Sequence, residues 1–195
     1  MILLLIVAGY IVGSIPVGYL LARYVKGIDI RQYGSGNIGA TNVWRIAGPA
    51  LGILAFAGDF GKGVLPVLLA KKIGGADLVT ITAVATLAGH SWPVFLGFKG
   101  GKIIATSFGV FFAIALPVAI LCAGIWIVIV ASFRYISLGS VLAIISLPLL
   151  MLFWGLEMPY ILLGLFVAIV GLYKHLPNIK RLIMGTEPKI GRQKV

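Results

Sequence analysis

Three short stretches of this 195-residue chain gather glycine, hydroxyl, amide and cationic side chains between long apolar runs. The first, Gly34 to Arg45, reads GSGNIGATNVWR; the second, Gly89 to Ser107, reads GHSWPVFLGFKGGKIIATS; the third, Leu172 to Gly191, reads LYKHLPNIKRLIMGTEPKIG. Residues of these types handle anions. Glycines let successive backbone amides turn toward a bound oxyanion, and a helix that follows adds positive potential at its N-terminus. In the first stretch Ser35, Asn37, Thr41 and Asn42 place neutral hydrogen-bonding groups around Gly36, and Arg45 offers a planar fork suited to phosphate. An interfacial turn that simply needs small residues is the alternative. Gly34, Gly36 and Gly39 formally match G-x-G-x-x-G, with Asp59 twenty residues beyond. That fingerprint requires a preceding strand. Here an apolar helix precedes the loop and Asp59 falls inside the next apolar run, so dinucleotide binding is rejected.

The second stretch fails as a Walker A motif, because Leu96 occupies the first glycine position and Ile103 replaces the Ser or Thr after Lys102. What remains is Gly100-Gly101-Lys102 leading into an apolar helix, either an anion site at a helix start or a basic topological anchor. His90 reads as a hydrogen-bonded histidine at a helix end. In the third stretch His175, Asn178 and Arg181 recur every three residues, which aligns them on one helical face unless Pro177 interrupts it. Glu187 follows in a tight GTEP turn. The alternative for His175 and Asn178 is the satisfaction of backbone groups at a helix exit. Asp59 and Lys62 stand three apart inside an apolar run, where a lone charge costs about 2.5–3.5 kcal/mol. A structural ion pair is expected, with substrate contact as the alternative. Ser137 and Ser140 open a later helix and either cap it or line the site. An H-x4-D acyltransferase signature is absent: Phe95 lies five beyond His90 and Lys180 five beyond His175. No Ser-His-Asp arrangement is evident either.

The elements that must carry these groups are membrane helices. Hydrophobic residues make up 61% of the chain and charged ones 11%, and the mean hydropathy is +1.12. A soluble domain carries about 25% charged residues, so the bilayer must be the solvent. The net charge of +11 would suggest nucleic acid in a soluble protein. In this chain the cations fall in short loops, where they signal topology and contact with anionic lipid or phosphate. The lone Cys122, inside an apolar run, excludes a disulfide framework or cysteine metal cluster. No cation precedes the first apolar stretch, which suits a transmembrane helix with its N-terminus outside rather than a signal peptide. Gly9 and Gly13 on it form a small-xxx-small pair for close helix packing.

Apolar runs fall at 1–22, 47–70, 78–96, 105–131, 136–154 and 158–173. If 105–131 crosses once, 6 loop cations lie inside and 9 outside, leaving aside Lys62; if it is a hairpin of two short helices, 13 lie inside and 2 outside. The positive-inside rule selects the hairpin, with Pro117 as its turn. Each arm, of about 13 residues, would reach only about 20 Å and so fall short of a hydrocarbon core of about 30 Å. The expectation is an all-α polytopic membrane protein with seven helices, N-terminus outside and C-terminus cytoplasmic, forming one domain over 1–195. All three polar stretches then share the cytoplasmic face. A transporter of phosphorylated solutes, the rival class, would show a midplane site and internal repeats, and neither is evident.

These stretches resemble the motifs of the bacterial acyl-phosphate:glycerol-3-phosphate acyltransferases, the PlsY family. The resemblance runs from GSIPVGYL (Gly13 to Leu20) through GSGNIGATNVWR, DFGKG (Asp59 to Gly63), GGKIIATSFG and HLPNIKR to GTEPKIG. One departure is Ile103-Ile104, where the family usually has Gly-Val; the added side chains are expected to narrow the turn. The resemblance implies acyl transfer from acyl phosphate to the 1-hydroxyl of glycerol 3-phosphate, giving lysophosphatidic acid and inorganic phosphate at the inner or plasma membrane. It implies no cofactor, no metal, no nucleic acid and no obligatory protein partner. Carried over by position, Ser35, Arg45, Lys102, His175 and Asn178 form the active-site set. Gly36, Asn37, Thr41, Asn42, Gly100, Gly101, Ser140 and Arg181 are expected around the substrate. Within this set Asn178 is expected to act as an amide donor held by His175.

Overall fold

The computed structural model describes residues 2–191, which form helices and turns with no strand among them. They divide between Ile114 and Ala115 into two compact units.

In the first unit, α1 (Ile2–Ser14) and α2 (Val17–Lys26) share the first apolar run. The sequence reads there as one span. The structure breaks it at Ile15-Pro16, because proline offers no N–H to a continuing helix and disfavours the helical conformation in the residue before it. A left-handed Gly27 (φ 69°) closes α2, with its N–H on the Arg23 carbonyl at 3.1 Å and that of Ile28 on Ala22 at 3.3 Å. A 3-10 turn (Ile30–Gln32), α3 (Ala40–Ala47), α4 (Pro49–Ile73), α5 (Ala76–Ser91), a second 3-10 turn (Val94–Leu96) and α6 (Ile104–Ile114) follow.

Close packing in this unit uses the small residues. Gly9 and Gly13 lie against Thr82 and Thr86 of α5, and a Cβ on Gly13 would collide with the Thr86 carbonyl. The α4–α6 contact is equally close at Gly63 on Thr106 and Gly109 on Phe60. Rings of Phe60 and Phe112 meet edge-on at 5.3 Å beside it. Ala22, Ile30, Ile38, Val43, Ala47, Leu51 and Ala55 form a buried cluster that seats the 27–39 loop and α3 on α2 and α4.

The second unit contains α7 (Leu116–Phe133), α8 (Ile136–Phe153) and α9 (Met158–Ile183). α8 packs against both others, with Gly139 on Trp126 and Val130, Met151 on Gly164, and Ile144 on Gly171.

Among the described residues, six stretches are long and apolar enough to cross a bilayer: Ile2–Lys26, Pro49–Ile73, Ala76–Leu96, Leu116–Phe133, Ile136–Phe153 and Met158–Ile183. Leu3, Leu54, Leu65, Val128, Leu149 and Ile169 on these stretches are all exposed, a surface that belongs in hydrocarbon rather than water. The run at 105–131 does divide in two, but not as two equal short arms turning at Pro117. α6 has 11 residues and α7 has 18, and the break falls at Ala115. Pro117 lies in the first turn of α7, where a missing N–H costs nothing and a fixed φ suits the helix. α7 is therefore about 27 Å long, and of these two helices α6 alone is short. The last run also extends further than the sequence suggests: α9 passes through Pro177 to Ile183, so Lys174, Lys180 and Arg181 sit on a helix rather than in a tail. Arg192 and Lys194 lie outside the described residues.

Candidate active site

The first polar stretch is a loop organised by one amide. Asn42, buried in the first turn of α3, accepts a hydrogen bond on Oδ1 from the Ser35 N–H at 3.0 Å. Its Nδ2 faces the carbonyls of Asn37 at 2.9 Å, Tyr33 at 3.1 Å and Ile30 at 3.3 Å. The loop must pass close to this amide. Gly34 and Gly36 take left-handed conformations (φ 60° and 68°), and a Cβ on Gly34 would strike Asn42 Oδ1. Asn37 Oδ1 accepts from the Gly39 N–H at 2.8 Å and so sets the entry to α3. Ser35 is exposed at the crest of the loop, while Thr41 and Arg45 are half-buried on α3. A helix start of this kind offers backbone N–H groups and positive potential to an anion.

Beside this loop Arg31 is committed elsewhere. Its guanidinium bonds Asp29 at 2.7 Å and lies 4.9 Å over the Tyr19 ring. The hydrogen bonds from Arg31 lower the pKa of the half-buried Asp29 carboxyl to about 2. This pair folds the loop rather than offering charge to a ligand.

The Gly100-Gly101-Lys102 turn rests on the end of α5. The Gly101 N–H donates to the His90 carbonyl at 3.0 Å. Neither glycine can carry a side chain: a Cβ on Gly101 would overlap the His90 ring, and one on Gly100 the His90 carbonyl and Pro93. Lys102 is half-buried. Ile103, the first residue of the Ile103-Ile104 pair, adopts φ 59° while wholly buried. That conformation strains a β-branched residue. Its carbonyl accepts from the Ser107 N–H at 2.7 Å and opens α6, and its side chain turns into the protein interior. Behind His90, the expected ion pair is present: Lys62 Nζ lies 2.8 Å from Asp59 Oδ1, with both side chains buried.

In the second unit, α9 does bring His175, Asn178 and Arg181 to successive turns, because it continues through Pro177. His175 Nδ1 is 2.7 Å from the Gly171 carbonyl. Asn178 Nδ2 donates to Glu187 Oε1 at 2.7 Å and Arg181 Nε to Glu187 Oε2 at 2.7 Å. The 184–190 turn folds back to make this possible, with the Thr186 and Glu187 N–H groups on the Arg181 carbonyl. The Ile190 N–H reaches the Arg134 carbonyl at 2.8 Å. Glu187 is the residue whose importance the sequence understates; the one hint is a single carboxylate among many cations. Burial raises its pKa, but the hydrogen-bonding groups of Asn178, Ser137 and Arg181 that face it outweigh burial and hold it below the ordinary glutamate range. Ser140, expected near substrate, accepts from Trp126 Nε1 at 3.2 Å and donates to the Ile136 carbonyl at 2.9 Å.

A family model described as glycerol-3-phosphate acyltransferase matches residues 3–185. A glycerol-3-phosphate acyltransferase of Desulforudis audaxviator is 50% identical over 194 residues, covering 99% of this chain and 98% of that one. One from Parasynechococcus marenigrum is 50% identical over 192 residues, covering 98% and 91%. The crystal structure of PlsY, an integral membrane glycerol 3-phosphate acyltransferase, in its glycerol 3-phosphate form superposes with a TM-score of 0.94 at 41% identity, covering 97% of this chain and 96% of that chain. Its lysophosphatidic acid form gives 0.91, covering 97% and 95%.

Proposed function

This chain belongs to the glycerol-3-phosphate acyltransferase family, and we propose that it transfers a fatty acyl group from acyl phosphate to the 1-hydroxyl of glycerol 3-phosphate. The products are lysophosphatidic acid and inorganic phosphate, formed at the cytoplasmic face of the inner or plasma membrane. One observation carries this reading: a TM-score above 0.9 over nearly the whole chain to an acyltransferase crystallised with that substrate and with that product.

Acyl phosphate is an activated donor, so the protein's tasks are to juxtapose two anions, screen their charge and stabilise a tetrahedral oxyanion. Arg45 and Lys102 bind phosphate, Ser35 hydrogen-bonds substrate from the loop crest, and Asn178 donates to the oxyanion from the α9 face that His175 shares. Gly36, Asn37, Thr41, Gly100, Gly101 and Arg181 shape the surroundings, while Asn42 and Ser140 act through the backbone they hold. In the reaction, the hydroxyl oxygen forms a bond to the acyl carbon, the acyl–phosphate bond breaks, and the departing phosphate takes the proton. No side-chain base, metal or cofactor takes part. The whole chain acts as one domain with seven membrane segments, α1 and α2 together counting as the first and α6 as the short one, N-terminus outside and C-terminus inside.

The test is the purified protein given glycerol 3-phosphate with acyl phosphate, acyl-CoA or acyl carrier protein, with and without chelator. Lysophosphatidic acid and phosphate should appear in equal amounts from acyl phosphate alone. Robust turnover of acyl-CoA, or loss of activity on chelation, would count against the proposal.

A further inference from the structure

We propose that His90 is a positioning residue for the turn that presents Lys102 to phosphate, an inference that rests on the role given to Lys102 above. His90 ends α5 and is 3% exposed. It holds the turn in two ways. Its carbonyl accepts the Gly101 N–H at 3.0 Å, and its imidazole lies so close over the Gly101 Cα that a Cβ there would overlap Nε2. Backbone and side chain of one residue thus grip the residue before Lys102.

The ring is braced from behind. His90 Nδ1 lies 3.7 Å from Asp59 Oδ1, and Asp59 is paired with Lys62 at 2.8 Å. Lys62 also donates to the Ile15 carbonyl at 2.9 Å, at the proline break between α1 and α2. A buried ion pair inside an apolar helix is costly to hold, and no step of the reaction uses it. Its place explains it: it fills the space behind the imidazole, so the ring cannot retreat into α4. Lysine reaches phosphate on a flexible four-carbon stem. The turn that carries Lys102 must therefore be fixed by something other than the side chain, and a misplacement of about 1 Å can cost up to a hundredfold.

Steric complementarity gives a test that general destabilisation does not reproduce. KM for glycerol 3-phosphate and kcat are measured on detergent-purified Gly101→Ala, His90→Ala, the double variant and Lys102→Ala, each with its melting temperature. Gly101→Ala and His90→Ala should each raise KM by about five- to tenfold, with smaller changes in kcat. In the double variant the new methyl occupies the space the ring left, so KM should be no higher than in His90→Ala alone. Effects that multiply would overturn the proposal, since independent sites add in free energy. A normal KM in His90→Ala with a raised KM in Lys102→Ala would overturn the role of His90 alone. A normal KM in Lys102→Ala would overturn the phosphate role itself and this inference with it. If His90→Ala does not fold, His90→Gln decides. Its flexible end should yield to the methyl, so Gly101→Ala/His90→Gln must have a lower KM than Gly101→Ala; an equal or higher one overturns the proposal.

Discussion

Replacing Glu187 by glutamine changes almost no volume and tests what the buried carboxylate does. Both oxygens of Glu187 accept at 2.7 Å, one from the Asn178 amide and one from Arg181 Nε. Glutamine has one accepting oxygen and one donating NH2. Whichever way it turns, a donor meets a donor at one of the two positions. A hydrogen bond to a charged group contributes about 1.5–3 kcal/mol. Arg181 is 34% exposed, so its half is discounted for solvent, and the loss should be about 2–3 kcal/mol for the docked 184–190 turn. The loss should appear first in that turn, where the Thr186, Glu187 and Ile190 amides are bonded to Arg181 and Arg134. Their hydrogen exchange should speed up about 30- to 150-fold, the factor that 2–3 kcal/mol represents. Turnover should fall with it, because the Asn178 amide loses the acceptor that orients it.

The pH dependence has a defined sign. The folded-state pKa of Glu187 is held below the ordinary glutamate range, with burial opposing and the Asn178, Ser137 and Arg181 groups prevailing. The stabilisation is therefore complete above that range and is lost as pH falls through the folded value. Glu187→Gln should remove this acid-side dependence and behave at neutral pH as the parent does in acid. Unchanged exchange at Thr186, Glu187 and Ile190, together with turnover within twofold of the parent, would refute the reasoning.

Asp59→Leu strands the Lys62 ammonium inside α4 and should cost about 3–5 kcal/mol, seen as lost membrane-inserted yield. Asp59→Leu/Lys62→Met should recover most of it, and a double variant no better than the single would argue against a structural pair. Arg45→Lys keeps the charge but loses the planar fork, so activity should drop severely at normal expression; retention of full activity would rule out bidentate phosphate binding. Asn178→Ala should lower turnover about a hundredfold or more, the 2.7–4 kcal/mol of one oxyanion contact, with little change in KM for glycerol 3-phosphate. Near-normal turnover would remove Asn178 from the catalytic set. A reporter fused after Val195 should be cytoplasmic, and external localisation would sink the seven-helix topology.

Helical membrane character was legible because composition alone leaves no other solvent for these side chains. The boundaries were less so, and proline shows why. Pro16 breaks the first run, Pro117 starts α7, and Pro66, Pro148 and Pro177 lie inside helices. The residue is the same in each case. What differs is position: a first turn needs no N–H there, whereas inside a helix the carbonyl left without a donor must find a partner among tertiary neighbours, which the sequence does not display. Pro177 could be read as an interruption from sequence, yet α9 carries His175 and Asn178 across it on one helix.

The polar stretches were legible as anion-handling loops because glycine and cation spacing is a local property. The division of labour within them was not, because it depends on which groups fold back. Asn42 and Asn178 look alike in sequence, each an amide near an arginine. Four backbone groups surround Asn42, and only one of them is a donor, so Oδ1 must face Ser35 and Nδ2 the carbonyls. Its amide is consumed in shaping the loop. Asn178 instead meets a carboxylate, which can only accept, and Glu187 thereby fixes the direction of the amide nitrogen. An orientation set by an acceptor-only partner resists flipping, and preorganised donors act only where they already point. The same carboxylate gathers the Arg181 guanidinium, so one buried Glu187 sets both the direction of an amide and the place of a cation.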